Sequence, residues 1–203
     1  MRRRRGFGLI ELMVVLAILV VILALAAPSF GRWITNLRIR GAAESMLSGI
    51  QFARSEATTR NARVRFQITD TLDDSCAITT SGRNWLVDLV IGDAGSDSVA
   101  GACGTPASED SAPHILQVRS ATESGSGVAV AADAGADALV FNGIGRLVPA
   151  PASTLTIKLT GTDPNDCRDM GGDLTCLHIQ ISPAGQIRMC NPIFSSGTDP
   201  QAC

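Results

Sequence analysis

The sequence predicts an α+β protein: one long N-terminal helix, apolar in its first half, carried onto an antiparallel β-sheet head braced by disulfides. Three observations predict it. Residues Phe7 to Ala27 form an apolar run whose only charge is Glu11. The hydrophobic period changes from three-and-four to two after Arg63. All six cysteines, at 76, 103, 167, 176, 190 and 203, follow that change.

Four arginines and Gly6 precede the apolar run, which is 21 residues long. As a helix it measures roughly 31 Å, close to the hydrocarbon thickness of a bilayer. A carboxylate inside such a segment costs roughly 2.5 to 3.5 kcal/mol, so Glu11 calls for a partner that its own segment lacks. An ordinary secretory signal, cut after Ala24-Leu25-Ala26, is the competing reading. Two facts oppose it: Glu11 interrupts the passage from basic start to apolar core, and Leu12 to Ala27 is 16 residues, just longer than such cores usually are. A plain membrane anchor is a second alternative.

Beyond Pro28 the helix is expected to continue to Thr59, making 53 residues from Phe7 and roughly 80 Å. Ile39, Ala43, Met46/Leu47, Ile50, Ala53 and Ala57 recur on one face, which should lie against a globular body. Arg40, Glu44, Ser48, Gln51 and Ser55 fall on another, with Arg40 and Glu44 at ion-pair spacing. Pro28 and Gly31 mark the place for a kink.

From Arg63, Val64, Phe66 and Ile68 alternate with Arg63, Arg65 and Gln67, the pattern of a half-buried strand. Trp85 to Ile91 is a second strand; Leu116/Val118, Val128 to Val130 and Leu139 to Phe141 are weaker ones. Asn142-Gly143 and Gly145 mark a turn before Arg146-Leu147-Val148. Leu155, Ile157 and Leu159 alternate again. Leu177, Ile179 and Ile181 are joined through Ser182-Pro183-Ala184-Gly185 to Ile187 and Met189, a terminal hairpin. Its opposite face, with His178, Gln180, Gln186 and Arg188, is expected to be exposed. Stretches 92–113, 120–127, 131–138 and 160–173, rich in Gly, Ser, Asp and Ala, read as exposed, partly mobile loops.

Composition limits function. Residues 66–203 carry six basic groups against 16 acidic ones, which opposes non-specific nucleic-acid binding, although residues 31–65 are net basic. An even cysteine count beyond an export segment reads as disulfides; fifteen pairings are open, and the expected one joins neighbours, Cys76 with Cys103, Cys167 with Cys176, Cys190 with Cys203. Zinc lacks support: there is no C-x-x-C, and His114 and His178 stand apart. Asp163, Asp166, Asp169 and Asp173 lack calcium-loop spacing and read as a solvated acidic loop. No catalytic constellation and no cofactor motif is present, so an enzyme is not expected.

The first residues resemble the class III signal of type IV prepilins: a short basic leader ending in Gly6, then Phe7 as the new N-terminus, Glu11 at the fifth mature position and Pro28 at the twenty-second, with Gly8 in place of the commoner Thr. The resemblance implies a leader of residues 1–6, an assembly and membrane helix at 7–30, and a head of 31–203 in which helix 31–59 precedes the β-rich body. It implies cleavage after Gly6 and methylation of Phe7 by a prepilin peptidase, and a pairing of Glu11 with a neighbouring subunit's N-terminal amine. The partners implied are major and minor pilins and the assembly platform; the location is the bacterial inner membrane, then a pilus or periplasmic pseudopilus. Ser55-Glu56-Ala57 before Val64-Arg65, and the terminal Gly185 to Cys190, resemble the GspH/FimT group of minor pilins and pseudopilins. The expected role is a minor pilin at or near a pilus tip, priming assembly. Alternatives are a type II secretion pseudopilin and a DNA receptor for transformation. Some FimT-type members bind DNA through G-R-x-R near the C-terminus; here Gln186 replaces the first arginine and only Arg188 matches.

Overall fold

The computed structural model describes residues 8–92, 98–121, 126–194, 197 and 199–203, with the backbone alone at 25–29. Two compact units follow one another along the chain, the first ending at Ile34 and the second running Thr35–Cys203.

Helix α1 spans Leu9–Arg60, 52 residues, and its backbone is continuous through Pro28 and Gly31. It stops where Asn61 takes a left-handed conformation (φ 49°). The Asn61 and Ala62 N–H groups then donate to the Thr58 and Ala57 carbonyls, a Schellman closure that satisfies the last turn. Within the second unit the predicted face is the buried one: Ile39, Ala43, Met46, Ile50, Ala53 and Ala57 all lie in the core. On the wet side Arg40 Nε donates to Glu44 Oε1 at 2.8 Å.

Eight strands follow: β1 (Val64–Thr69), β2 (Asn84–Leu89), β3 (Ile115–Arg119), β4 (Val128–Ala132), β5 (Ala138–Phe141), β6 (Leu155–Gly161), β7 (Leu177–Ile181) and β8 (Ile187–Cys190). They form two antiparallel sheets, ordered β3-β2-β1-β5 and β4-β6-β7-β8. One hydrophobic core joins the helix face to the inner faces of both, with Phe66, Leu139 and Phe141 from the first sheet and Ile157, Leu159, Ile179 and Ile181 from the second.

Trp85 seats the helix on the first sheet. Its ring lies 5.6 Å from that of Phe66, and its Nε1 donates to Ser45 Oγ at 3.2 Å. One turn on stands Gly49, where a Cβ would come within 2.7 Å of the indole. Alanine would gain about 1 kcal/mol in helix propensity, but overpacking a filled contact costs about 1–3 kcal/mol. Gly49→Ala is therefore expected to lower the melting temperature, and a variant that melts higher than the parent would refute the contact.

Three expectations need correction. Strand β1 is buried on both faces, not half-buried. The stretch 92–113 is not simply an exposed loop, because Val99, Cys103 and Pro113 are buried. They belong to a strap, residues 98–114, laid over the outer face of the first sheet, where Val99 and Cys103 make a second apolar cluster with Cys76, Leu86 and Ile115. The strap is tied by the Cys76–Cys103 disulfide and by Arg60, whose two terminal nitrogens reach the two Glu109 oxygens at 2.8 Å. Third, strand β6 continues through Thr160 and Gly161, inside the predicted 160–173 loop; the Cys167–Cys176 disulfide braces the segment beyond, and Leu174 is buried there.

The terminal hairpin folds as predicted, with Ile181 opposite Ile187 and Ser182 N–H donating to Gln186 O. Gly185 has φ 81°, and a Cβ there would meet the Gly145 carbonyl at 2.5 Å, so this corner requires glycine.

Candidate functional site

The first unit carries the most unusual surface of the chain. Helix α1 opens with the Glu11 and Leu12 N–H groups donating to Gly8 O at 3.1 and 3.2 Å, which sets Glu11 in the first turn, where a carboxylate complements the helix dipole. From Leu9 to Leu23 the large apolar side chains are exposed all round the helix, between 47% and 79% of their surface. A helix that is apolar on every side must be covered by lipid or by other chains, since burying each such side chain gains roughly 1.5–3 kcal/mol. Gly6 and Phe7 lie outside the described residues. Among the described residues no helix is long and apolar enough to cross a membrane; Phe7 and the side chains at 25–27, which complete the 21-residue run, are not among them.

The second region is the terminal hairpin. The outer face of β7 and β8 is not bare, as expected, but partly covered by the segment that the Cys190–Cys203 disulfide folds back. Asn191 N–H donates to Gln201 O at 2.8 Å, and Ala202 is buried. His178, expected on the surface, is half-buried, with Nδ1 3.7 Å from Cys203 Sγ. Arg188 is exposed, yet its guanidinium is engaged: Nε and Nη2 donate to Gln180 Oε1 at 3.0 and 2.7 Å, and Nη2 also to Cys203 O at 3.2 Å.

The six cysteines form Cys76–Cys103, Cys167–Cys176 and Cys190–Cys203. Among the described residues no group of His, Cys, Asp or Glu is placed to hold a metal ion. The acidic stretch is a pair of 3-10 turns, Pro164–Asp166 and Arg168–Met170, with Asp163 capping the first.

The family model described as Type II transport protein GspH matches residues 42–185, and the prokaryotic N-terminal methylation motif matches residues 1–27. The chain belongs to the GspH family of minor pilins and pseudopilins. Among solved structures, this GspH-family chain is similar to the type IV minor pilin FimU of Pseudomonas aeruginosa strain PAO1. One crystal form gives a TM-score of 0.51 at 19% identity over 81% of this chain and 94% of that one. A second gives 0.48 at 20% identity over 81% and 98%. The first likeness shows the fold: a long helix on antiparallel sheets. No curated protein matches the chain. The methylation motif includes Gly6, Phe7 and Glu11, whereas Arg188 and the Cys190–Cys203 loop lie beyond the GspH match.

In this GspH-family head, burial lowers the pKa of His178, and the cross-strand Lys158 lowers it further, against opposing pulls from Asp169 and Asp133. A histidine depressed in the fold contributes stability that is present above the unfolded value of about 6.5 and is lost as pH falls through the lower folded value. Unfolding scans across that range should show wild-type stability declining more steeply with acid than that of His178→Gln. Parallel declines would refute the assignment.

Proposed function

We propose that this protein is a minor type IV pilin, inserted in the inner membrane through its first helix, processed at Gly6, and then incorporated at or near a pilus tip, where it helps to prime assembly. The observation that carries the reading is the apolar helix Leu9 to Leu23, exposed all round, with one carboxylate, Glu11, in its first turn. Lipid covers that surface before assembly; the helices of neighbouring pilins cover it afterwards. In the filament Glu11 pairs with the N-terminal amine of a neighbour. The prepilin peptidase and the inner-membrane platform are the partners that processing and assembly require.

The test is the mature N-terminus. Mass spectrometry of protein from membranes should find a chain beginning at Phe7 and methylated on its amine. A chain beginning at Ala27 would instead indicate an ordinary secretory signal.

A second reading, a minor pseudopilin of type II secretion, is favoured by the description of the matched family, Type II transport protein GspH. A deletion that stops protein secretion and spares twitching would select it. DNA binding through Arg188 is the weaker alternative, because that guanidinium is already held by Gln180 and the Cys203 carbonyl and Gln186 stands beside it on β7–β8's connecting turn.

A further inference from the structure

The exposed surface of the first unit does not end with the aliphatic run. Phe30 and Trp33 are three residues apart on one helix face, exposed to 59% and 56%, with ring centroids 5.6 Å apart. They occupy a defined height. Between Glu11 and Arg32 lie 20 residues without a single charge, the length that spans a bilayer core. Along the continuous helix Leu9–Arg60, Phe30 and Trp33 stand 19 and 22 positions beyond Glu11. At 1.5 Å per residue this is about 28 and 33 Å, which brackets the roughly 30 Å of hydrocarbon. Beyond them the helix turns polar, with Arg38, Arg40 and Glu44.

We propose that Phe30 and Trp33 are an interfacial anchor that sits in the lipid headgroup layer and sets the depth of the inserted helix, so that Glu11 rests at the opposite headgroup boundary and not near the bilayer centre. Aromatic rings, and Trp above all, favour that layer, because an apolar body meets lipid while the indole N–H reaches water or headgroup oxygens. The register answers the difficulty that Glu11 poses before assembly. A carboxylate at the bilayer centre is costly, whereas one at the boundary keeps its hydration until a partner amine arrives. The inference rests on the membrane insertion proposed above and adds to it a depth and a set of contacts.

The experiment uses the full chain in phosphatidylcholine vesicles whose lipids carry bromine, a fluorescence quencher, either near the headgroup or near the bilayer midplane. Flotation with the vesicles tests insertion itself. Trp33→Phe, measured in parallel, subtracts the emission of Trp85, which is buried in the head against Phe66. The expected result is flotation, with Trp33 emission blue-shifted and lost more with headgroup-proximal bromine than with midplane bromine. Flotation with Trp33 unquenched by either lipid, or quenched most at the midplane, overturns the anchor and leaves insertion standing. Failure to float overturns insertion, and the anchor with it.

Discussion

Asp88→Ala is expected to cost the head about 3–5 kcal/mol, because it breaks a buried ion pair. Arg65 on β1 and Asp88 on β2 stand directly opposite in the antiparallel register. Arg65 Nη2 meets Asp88 Oδ2 at 2.6 Å and Nε meets Oδ1 at 3.3 Å, a two-pronged contact between side chains only 4% and 0% exposed. The strap over this face keeps water away, so the lost charge cannot be replaced by hydration. Against a typical total of about 5–15 kcal/mol, the effect is large enough to unfold a substantial fraction of molecules. Replacing both residues by apolar ones of similar volume should recover most of the loss, since a filled apolar contact often equals a buried ion pair. Equilibrium urea unfolding followed by Trp85 emission measures both variants. An Asp88→Ala midpoint equal to wild type would mean that the strap does not seal this face.

That pair also marks the limit of what the sequence discloses. The helix face from Ile39 to Ala57 was legible because only a 3.6-residue period brings those residues together, and the tight hairpin at 182–185 because its turn residues have few alternatives. Arg65 and Gln67 read as solvent-facing because polar residues alternating with Val64, Phe66 and Ile68 ordinarily face it. Burial of that face depends on a strap distant in sequence, which no local period encodes. One signal was present: Asp88 interrupts the otherwise apolar stretch Trp85 to Ile91, and its register with Arg65 makes the two polar residues each other's partner. Gln67, whose Oε1 is buried without a hydrogen bond among the described residues, lies on the same face. His178 reads as a surface residue for a related reason. Its strand alternation does point away from the core, but the Cys190–Cys203 loop returns over it. The apolar first helix was legible for the opposite reason: an apolar run that holds a single carboxylate needs no tertiary context to be conspicuous.

The second large effect is expected at Glu11. On the function proposed above, its carboxylate is paired, among the apolar helices of the filament, with the amine of Phe7 on a neighbour, and Glu11→Ala would leave that amine buried and unpaired. Breaking a buried pair costs about 3–5 kcal/mol. With each 1.4 kcal/mol equal to a factor of ten, incorporation should fall by roughly two to three and a half orders of magnitude. The head should be untouched, because Glu11 belongs to the first unit, whereas the core and all three disulfides lie in the second. The decisive measurement is the amount of Glu11→Ala protein in purified filaments relative to its membrane pool, with wild type as reference. The account predicts a normal membrane pool with an intact head and almost no variant in filaments; variant protein incorporated at the wild-type level would contradict it.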